Sequence, residues 1–237
     1  VRLASYPVQE CGGAIFAYLG EGEPPLIPEF TFLTAPEENR LCFRTIQHCN
    51  WLQGLESSTD PAHTTYLHRL PVGYTSIRSG NDVRALRGID PPKIDIEHTD
   101  YGTRIYALHN SPMGKKYLRV NNYVFPSLAT PTTSTKSGYQ GRWYVPMDDE
   151  RHYSFEFFYR SEPLDKEALR KFRRDNVADD MRHIRRADNR YLQDRDELKR
   201  DATYTGMGHY FPAQDCFAVE TQGAIQDRTQ EHLGSTD

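Results

Sequence analysis

A chain of 237 residues with 37% hydrophobic side chains and a formal net charge of −4 fits one globular domain. It has no basic excess to suit nucleic acid or an anionic membrane surface. No apolar run approaches the roughly 20 residues of a membrane span, and no signal peptide is visible. Four irregularly spaced cysteines read as reduced thiols of a cytoplasmic enzyme, while 15 Tyr and 11 Phe supply apolar faces for a core.

Along the chain, GGAIFAYLG (12–20) predicts a strand, followed by a Pro-rich connector at 23–28. LCFRTIQHC (41–49) alternates as a second strand, and 50–69 reads as helical. Residues 93–125 break at 100–102 and 111–114, where Gly-containing turns between β-rich runs predict an antiparallel meander. PTTSTKSG (131–138) is a flexible loop by composition, and GRWYVPM and HYSFEFFYR extend the sheet. A helix begins after Asp165, which has N-cap chemistry. The alternating charges of 182–200 read as a solvated helical face or loop. A long helix from 213 to about 232 packs on the sheet, giving an α+β pattern.

Within the helical stretch, Asp60, His63 and His68 form D-x-x-H-x-x-x-x-H. Two neutral imidazoles close in sequence, completed by a distant carboxylate, are the ligand set of mononuclear non-haem iron oxygenases. Two unrelated surface histidines on a helix are the plain alternative. At about 100° per residue, His63 and His68 lie roughly 140° apart on a regular helix. Both reach one metal only where the helix is distorted, as by a π-bulge, or ends between them. Irregular geometry between the two is therefore expected, with Pro61 suiting a local helix that begins around Asp60. Read by itself, Asp60 is an N-cap ahead of Pro at N1. The remaining seven histidines show no ligand spacing, and Cys49 reads as a small buried side chain.

The segment N-W-x-Q-x-x-E-x-x-x-D-x-x-H-x-x-x-x-H comprises Asn50, Trp51, Gln53, Glu56, Asp60, His63 and His68. It resembles the catalytic domain of Rieske non-haem iron aromatic-ring-hydroxylating oxygenase large (α) subunits, in the phthalate 4,5-dioxygenase-like branch. YPVQECGGAIFAYLGEGEPPLIPEF upstream, and HYSFEFFYRSEPL (152–164), ADNRYLQDRD (187–196) and QDCFAVETQGAIQDRTQEHLGSTD (214–237) downstream, carry the same likeness. It covers essentially the whole chain.

The resemblance implies a helix-grip (START/Bet v1-like) fold, an antiparallel sheet wrapped around a long C-terminal helix. It implies Fe(II) held by His63, His68 and Asp215, the last from a Q-D segment opening that helix. Without the resemblance Asp215 is an N-cap residue, and Glu220 and Asp227 on the same helix are fallback ligands. Two catalytic roles follow. Asp60 would link His63 to a Rieske ligand of the neighbouring subunit, fixing the imidazole tautomer. Glu56 would sit near the iron, and Trp51 would pack in the core.

A Rieske [2Fe-2S] cluster needs two cysteines and two histidines. Neither Cys11, Cys42, Cys49 nor Cys216 has a His two or three residues after it. Residues 1–237 are therefore expected to be a catalytic domain that does not bind the cluster, truncated at both ends and lacking its Rieske domain. The resemblance further implies NADH as electron source through a flavin and iron–sulfur reductase, and a head-to-tail homotrimer. The reaction would dihydroxylate, monohydroxylate or O-demethylate an aromatic, carboxylated substrate with O2. A carboxylate wants a cation in the pocket, for which Arg78, Arg84, Arg87 and Arg104 are candidates. Two rivals remain: a non-catalytic helix-grip module binding a hydrophobic ligand, and a zinc hydrolase using the same triad.

Overall fold

Alternation along the strands sorts side chains onto two sheet faces of opposite chemistry. The computed structural model describes residues 5–69, 90–111, 114, 116–132, 137–200 and 203–234. A hairpin of β1 (Val8–Cys11) and β2 (Ala14–Ala17) turns at Gly12 and Gly13, both at positive φ. The strand expected over 12–20 is thus shortened to Ala14–Ala17: its two leading glycines take left-handed backbone and make the turn, and the partner strand precedes them.

The remaining strands are β3 (Arg40–Gln47), β4 (Lys93–Thr99), β5 (Gly102–Asn110), β6 (Lys116–Val124), β7 (Leu128–Thr130), β8 (Gly138–Pro146) and β9 (His152–Arg160). They form one seven-stranded sheet in the order β3-β9-β8-β7-β6-β5-β4, antiparallel throughout. The meander expected over 93–125 is present, as are the strands at 41–49, 141–147 and 152–160. β7, only three residues long, gives no readable period.

On one face Trp143 sits opposite Phe155 and Gly141 opposite Phe157. This face packs Phe157 and Leu128 against Phe32 and Leu33 of a short helix, α1 (Thr31–Thr34). Phe32 is fully buried among Phe30, Tyr139, Trp143 and Phe157. Burying such a ring contributes about 1.5–3 kcal/mol. On the other face Arg142 sits opposite Glu156, Tyr144 opposite Ser154, and Gln47 opposite His152. All six are buried.

Helix α2 (Trp51–Thr59) lies over this polar face, against β6–β9. Asn50 caps it, its side chain accepting from the Leu52 N–H at 3.0 Å. Trp51 packs beside Leu55, Ala129 and Tyr144, as expected of a core residue. Gln53 is buried and ties α2 to the chain's end. Its Nε2 donates to the carbonyls of Val219 and Gly223, and its Oε1 accepts from the Gln226 N–H.

The helix α3 (His63–Tyr66) follows α2 after a break, and α4 (Lys166–Arg174) starts at Asp165, whose carboxylate accepts from Ala168 at 2.9 Å. The charged 182–200 stretch contains α5 (Arg195–Lys199) and a 3-10 segment over Ala187–Leu192. It is mostly exposed, but Tyr191 is buried and donates to Glu220. The last α-helix, α6 (Phe211–Glu220), is much shorter than the helix expected over 213–232. It starts two residues earlier and stops at Glu220, because Gly223 takes φ 102° and Gln53 captures the backbone on either side of it. The α+β helix-grip class stands, but the helix laid along the sheet is α2, and α6, ten residues long, packs on α2 rather than running along the sheet as expected. No helix among the described residues is long and apolar enough to cross a membrane.

Gly54 permits the close approach of α2 to the sheet. A Cβ there would lie 2.7 Å from His152 Nε2 and from the Tyr144 ring. His152 cannot move aside, being held by the Cys49 carbonyl and the Gln47 amide. Gly54→Ala gains about 1 kcal/mol in helix propensity but loses roughly 2–3 kcal/mol, the upper part of the usual overpacking cost, against rings that cannot move aside. A net loss of about 1–2 kcal/mol is expected in urea unfolding; an unchanged or raised midpoint would contradict the account.

Candidate metal centre

Asp60 ends α2 with extended backbone (φ −71°, ψ 116°) and starts α3 with its side chain. Its Oδ1 accepts from Ala62 N–H at 2.6 Å and its Oδ2 from His63 N–H at 3.0 Å. It thus satisfies two N–H groups at the start of α3, but it is not the N-cap expected: Ala62 holds that place, Pro61 is not at N1, and the helix begins at His63, three residues later than Asp60. α3 ends at Tyr66, between the two histidines. That ending, and no π-bulge, resolves the 140° mismatch (about 100° per residue on a regular helix). His63 Nδ1 also lies 3.3 Å from Asp60 Oδ2, long for a hydrogen bond. Burial alone would raise the Asp60 carboxyl, yet His63 and the two backbone donors hold it below its ordinary value.

From the other side α6 presents Asp215. It is the fifth residue of the helix, not its N-cap; Tyr210 occupies that place. The N-cap reading is overturned because the helix starts at Phe211, with Pro212 in its first turn. Phe211 stacks on the His68 ring at 4.4 Å between centroids and 19° between planes. Next to Asp215, Gln214 donates through Nε2 to the Gly208 carbonyl at 2.6 Å, which turns its Oε1 to His68 Nδ1 at 2.8 Å.

Three donor atoms converge. His63 Nε2 and His68 Nε2 are 3.2 Å apart, and Asp215 Oδ1 lies 2.8 Å from the second and 3.5 Å from the first. Three donors at roughly 2.1 Å from one ion, on one face of it, would stand roughly 3 Å from each other. Protonation bears on the fit too. Gln214 Oε1 can only accept, so His68 Nδ1 carries the proton and a neutral ring points the Nε2 lone pair at Asp215 Oδ1. A lone pair facing a carboxylate oxygen at 2.8 Å demands a proton or a cation between them. Burial pushes the His68 imidazole down, against the pull of Asp215. Burial likewise raises Asp215, but His68, His63 and Arg142 outweigh it and hold the carboxyl well below the carboxylate range. The donor set thus fits a divalent cation.

Other expected residues lie elsewhere. Glu56 is exposed and pairs through both oxygens with Arg228 at 2.8 and 3.0 Å, not with the triad. Glu220 accepts from His48 N–H and the Tyr191 hydroxyl, and Asp227 caps Thr229. Arg104 is paired with Glu97 on the sheet surface. Arg78, Arg84 and Arg87 lie outside the described residues, as does part of the 131–138 loop. Unanticipated from sequence were Gln214, the buried pair Arg142–Glu156, and Arg119. Arg119 is fully buried, donating to Thr64 Oγ1 and the Thr132 carbonyl. For Arg142 and Glu156 the one sequence signal was a charge set among strand aromatics, as in R-W-Y and F-E-F.

The sheet and its helices have the fold of terminal oxygenase domains. The oxygenase in a reduced oxygenase–ferredoxin complex of carbazole 1,9a-dioxygenase superposes with a TM-score of 0.53 at 21% identity, covering 100% of this chain and 62% of that one. The terminal oxygenase of carbazole 1,9a-dioxygenase from Novosphingobium sp. KA1 gives 0.50 at 18% identity, over 98% and 63%. The chain belongs to the family described as LigXa C-terminal domain like, which it matches over residues 17–237. The phthalate 4,5-dioxygenase oxygenase subunit of Pseudomonas putida is 34% identical over 100% of this chain and 56% of its own length. The 5,5'-dehydrodivanillate O-demethylase oxygenase subunit of Sphingobium sp. is 26% identical, over 100% of this chain and 50% of its own length. The chain spans about half the length of the curated relatives it matches.

His183 offers a test of the buried polar face. It is buried with both ring nitrogens unpartnered among the described residues, and burial pushes it down to about 4 from 6.5. The unfolded chain therefore takes up this proton first. The stability tied to neutral His183 is complete above about pH 6.5 and is lost as pH falls toward 4. At about 1.4 kcal/mol per pH unit, the loss reaches at most roughly 3 kcal/mol. His183→Leu is expected to flatten the decline of urea midpoints across that window. Parallel curves for parent and variant would rule the effect out.

Proposed function

We propose that this chain is the catalytic domain of an aromatic-ring oxygenase large subunit, with one Fe(II) held by His63, His68 and Asp215. The observation that carries this reading is the convergence, at 2.8–3.5 Å, of two imidazole nitrogens, from α3 and the turn after it, and one carboxylate oxygen from α6. That donor set, on one side of an ion, is the one used by non-haem iron oxygenases. When bound, iron would supply the redox chemistry of dioxygen activation; the protein supplies orientation and a dry site. Gln214 holds His68 in the tautomer that frees Nε2, and Phe211 fixes the plane of that ring. The reaction class is dihydroxylation, monohydroxylation or O-demethylation of an aromatic compound.

Electrons come, in this reading, from a Rieske [2Fe-2S] cluster outside residues 1–237, fed by NADH through a flavin and iron–sulfur reductase. The Asp60 side chain remains 42% exposed while touching His63. It would join His63 to a cluster ligand of the neighbouring subunit in a head-to-tail homotrimer located in the cytoplasm. The substrate is proposed to carry a carboxylate. Arg119 is the cation best suited to it: buried beside Thr64, next to His63, with no carboxylate partner among the described residues. Burial disfavours its charge, against the pull of Tyr117 and Asp60, and an anionic ligand would favour it further.

Anaerobic reconstitution with Fe(II) should load about one iron per chain, on three protein ligands. Loading should be lost in His63→Ala, His68→Ala and Asp215→Ala and kept in Asp227→Ala. A parent that binds no iron would leave a metal-free ligand-binding module, and one that binds and works only with zinc would point to a hydrolase.

For the substrate, Arg119→Gln should weaken binding of an aromatic carboxylate by roughly 10–100-fold, the worth of one charge-assisted contact. Binding of its methyl ester should be little changed. Equal losses for both ligands, read by calorimetry, would remove Arg119 from the pocket.

A further inference from the structure

Asp215 has two oxygens, and the fold treats them differently. Oδ1 faces the imidazoles of His63 and His68. Oδ2 lies 3.4 Å from Nη1 of Arg142, on β8. The other arm of that guanidinium, Nη2, is 3.4 Å from Oε1 of Glu156, which sits directly opposite on β9. Nη1 also reaches Ser58 Oγ of α2 at 3.3 Å, and the Ser58 hydroxyl meets the Tyr144 hydroxyl. All five side chains are buried and belong to regular elements.

We propose that Arg142 is a positioning residue that tethers Asp215 Oδ2, so that only Oδ1 is offered to the metal. This rests on the metal reading above. A free carboxylate can chelate an ion through both oxygens and so occupy one more coordination position. With Oδ2 engaged by a guanidinium anchored on two strands and a helix, that rotation is closed off, and a position stays open for a small ligand. Glu156 has a matching task. Arg142 alone would offset the Asp215 charge that a cation needs; Glu156 balances the guanidinium, so the pair is neutral and Asp215 keeps its own charge. Arginine suits the place because its planar fork reaches two carboxylates at once, which a lysine ammonium on a flexible stem does not.

The test uses Co(II) as a spectroscopic probe in the parent and in Arg142→Lys. In the parent, the infrared difference spectrum on Co(II) loading, with 13C-labelled aspartate, should show the wide separation of carboxylate stretches typical of one-oxygen binding. In Arg142→Lys, with circular dichroism unchanged, the separation should narrow and the visible Co(II) bands weaken as the second oxygen joins. A parent with narrowly separated stretches, or a folded variant whose spectra match the parent's, overturns the tether while leaving the metal site intact. If the lysine variant fails to fold, the parent's infrared spectrum alone decides. A parent that binds no Co(II) overturns the metal reading itself, and the tether with it.

Discussion

A carboxylate buried between two imidazoles and a guanidinium is the interaction around which the rest of this structure is arranged. Removing one ion from water costs several kcal/mol even after the protein relaxes. Asp215 is only 6% exposed, so its charge survives only because its neighbours answer it. Arg142 does so on one oxygen; on the other, His68 and His63 do so only with a proton or a cation between the ring nitrogens and Oδ1. Each of these in turn needs support. Gln214 holds His68, Asp60 caps the turn that carries His63, and Glu156 balances Arg142. Register between β8 and β9 sets the last pair, since residues directly opposite share a face.

The two faces of the sheet divide the labour. The aromatic face buries Phe32, Phe157 and Trp143 with edge-to-face and tilted ring contacts, and its contribution to stability is non-directional and large. The polar face contributes little net stability, because each buried donor or acceptor mainly recovers what it lost on leaving water. It gives geometry instead. Gln53 illustrates the point: three hydrogen bonds from one buried amide fix where α6 ends and therefore how Asp215 is aimed. The burial of this amide costs little because its hydrogen bonds are made, and the same bonds place another element.

How much of this was legible in the sequence follows from the range of each interaction. The meander was readable because Gly-containing turns and strand periods are local, and α4 because its cap is three residues from its partner. The spacing of His63 and His68 announced a break in the helix before any coordinates did. The end of α6 was not readable, since it is set by Gln53, some 170 positions away in the chain. Glu56, which the resemblance put near the iron, sits instead on the outward face of α2 with Arg228, 172 positions away in the chain and equally out of reach of a local pattern. Arg142 and Glu156 sit at alternating positions of aromatic strands, a pattern that says which side chains share a face and nothing about what covers that face.

Protonation supplies the last link between the fold and the proposed chemistry. Asp215 is held ionised well below neutral pH, so it needs no deprotonation before meeting a cation. His68 is pushed toward its neutral form by burial, and its one proton is claimed by Gln214 on the side away from Asp215. For Asp215 and His68 the surroundings thus already favour the deprotonated donors that metal binding demands. What remains is the contact between the Nε2 lone pair and Asp215 Oδ1, repulsive in the neutral state and reversed by any positive charge placed there. A proton satisfies one such contact. A divalent ion satisfies His63, His68 and Asp215 together, and for that reason the same three side chains that strain against one another without it make a single binding site with it.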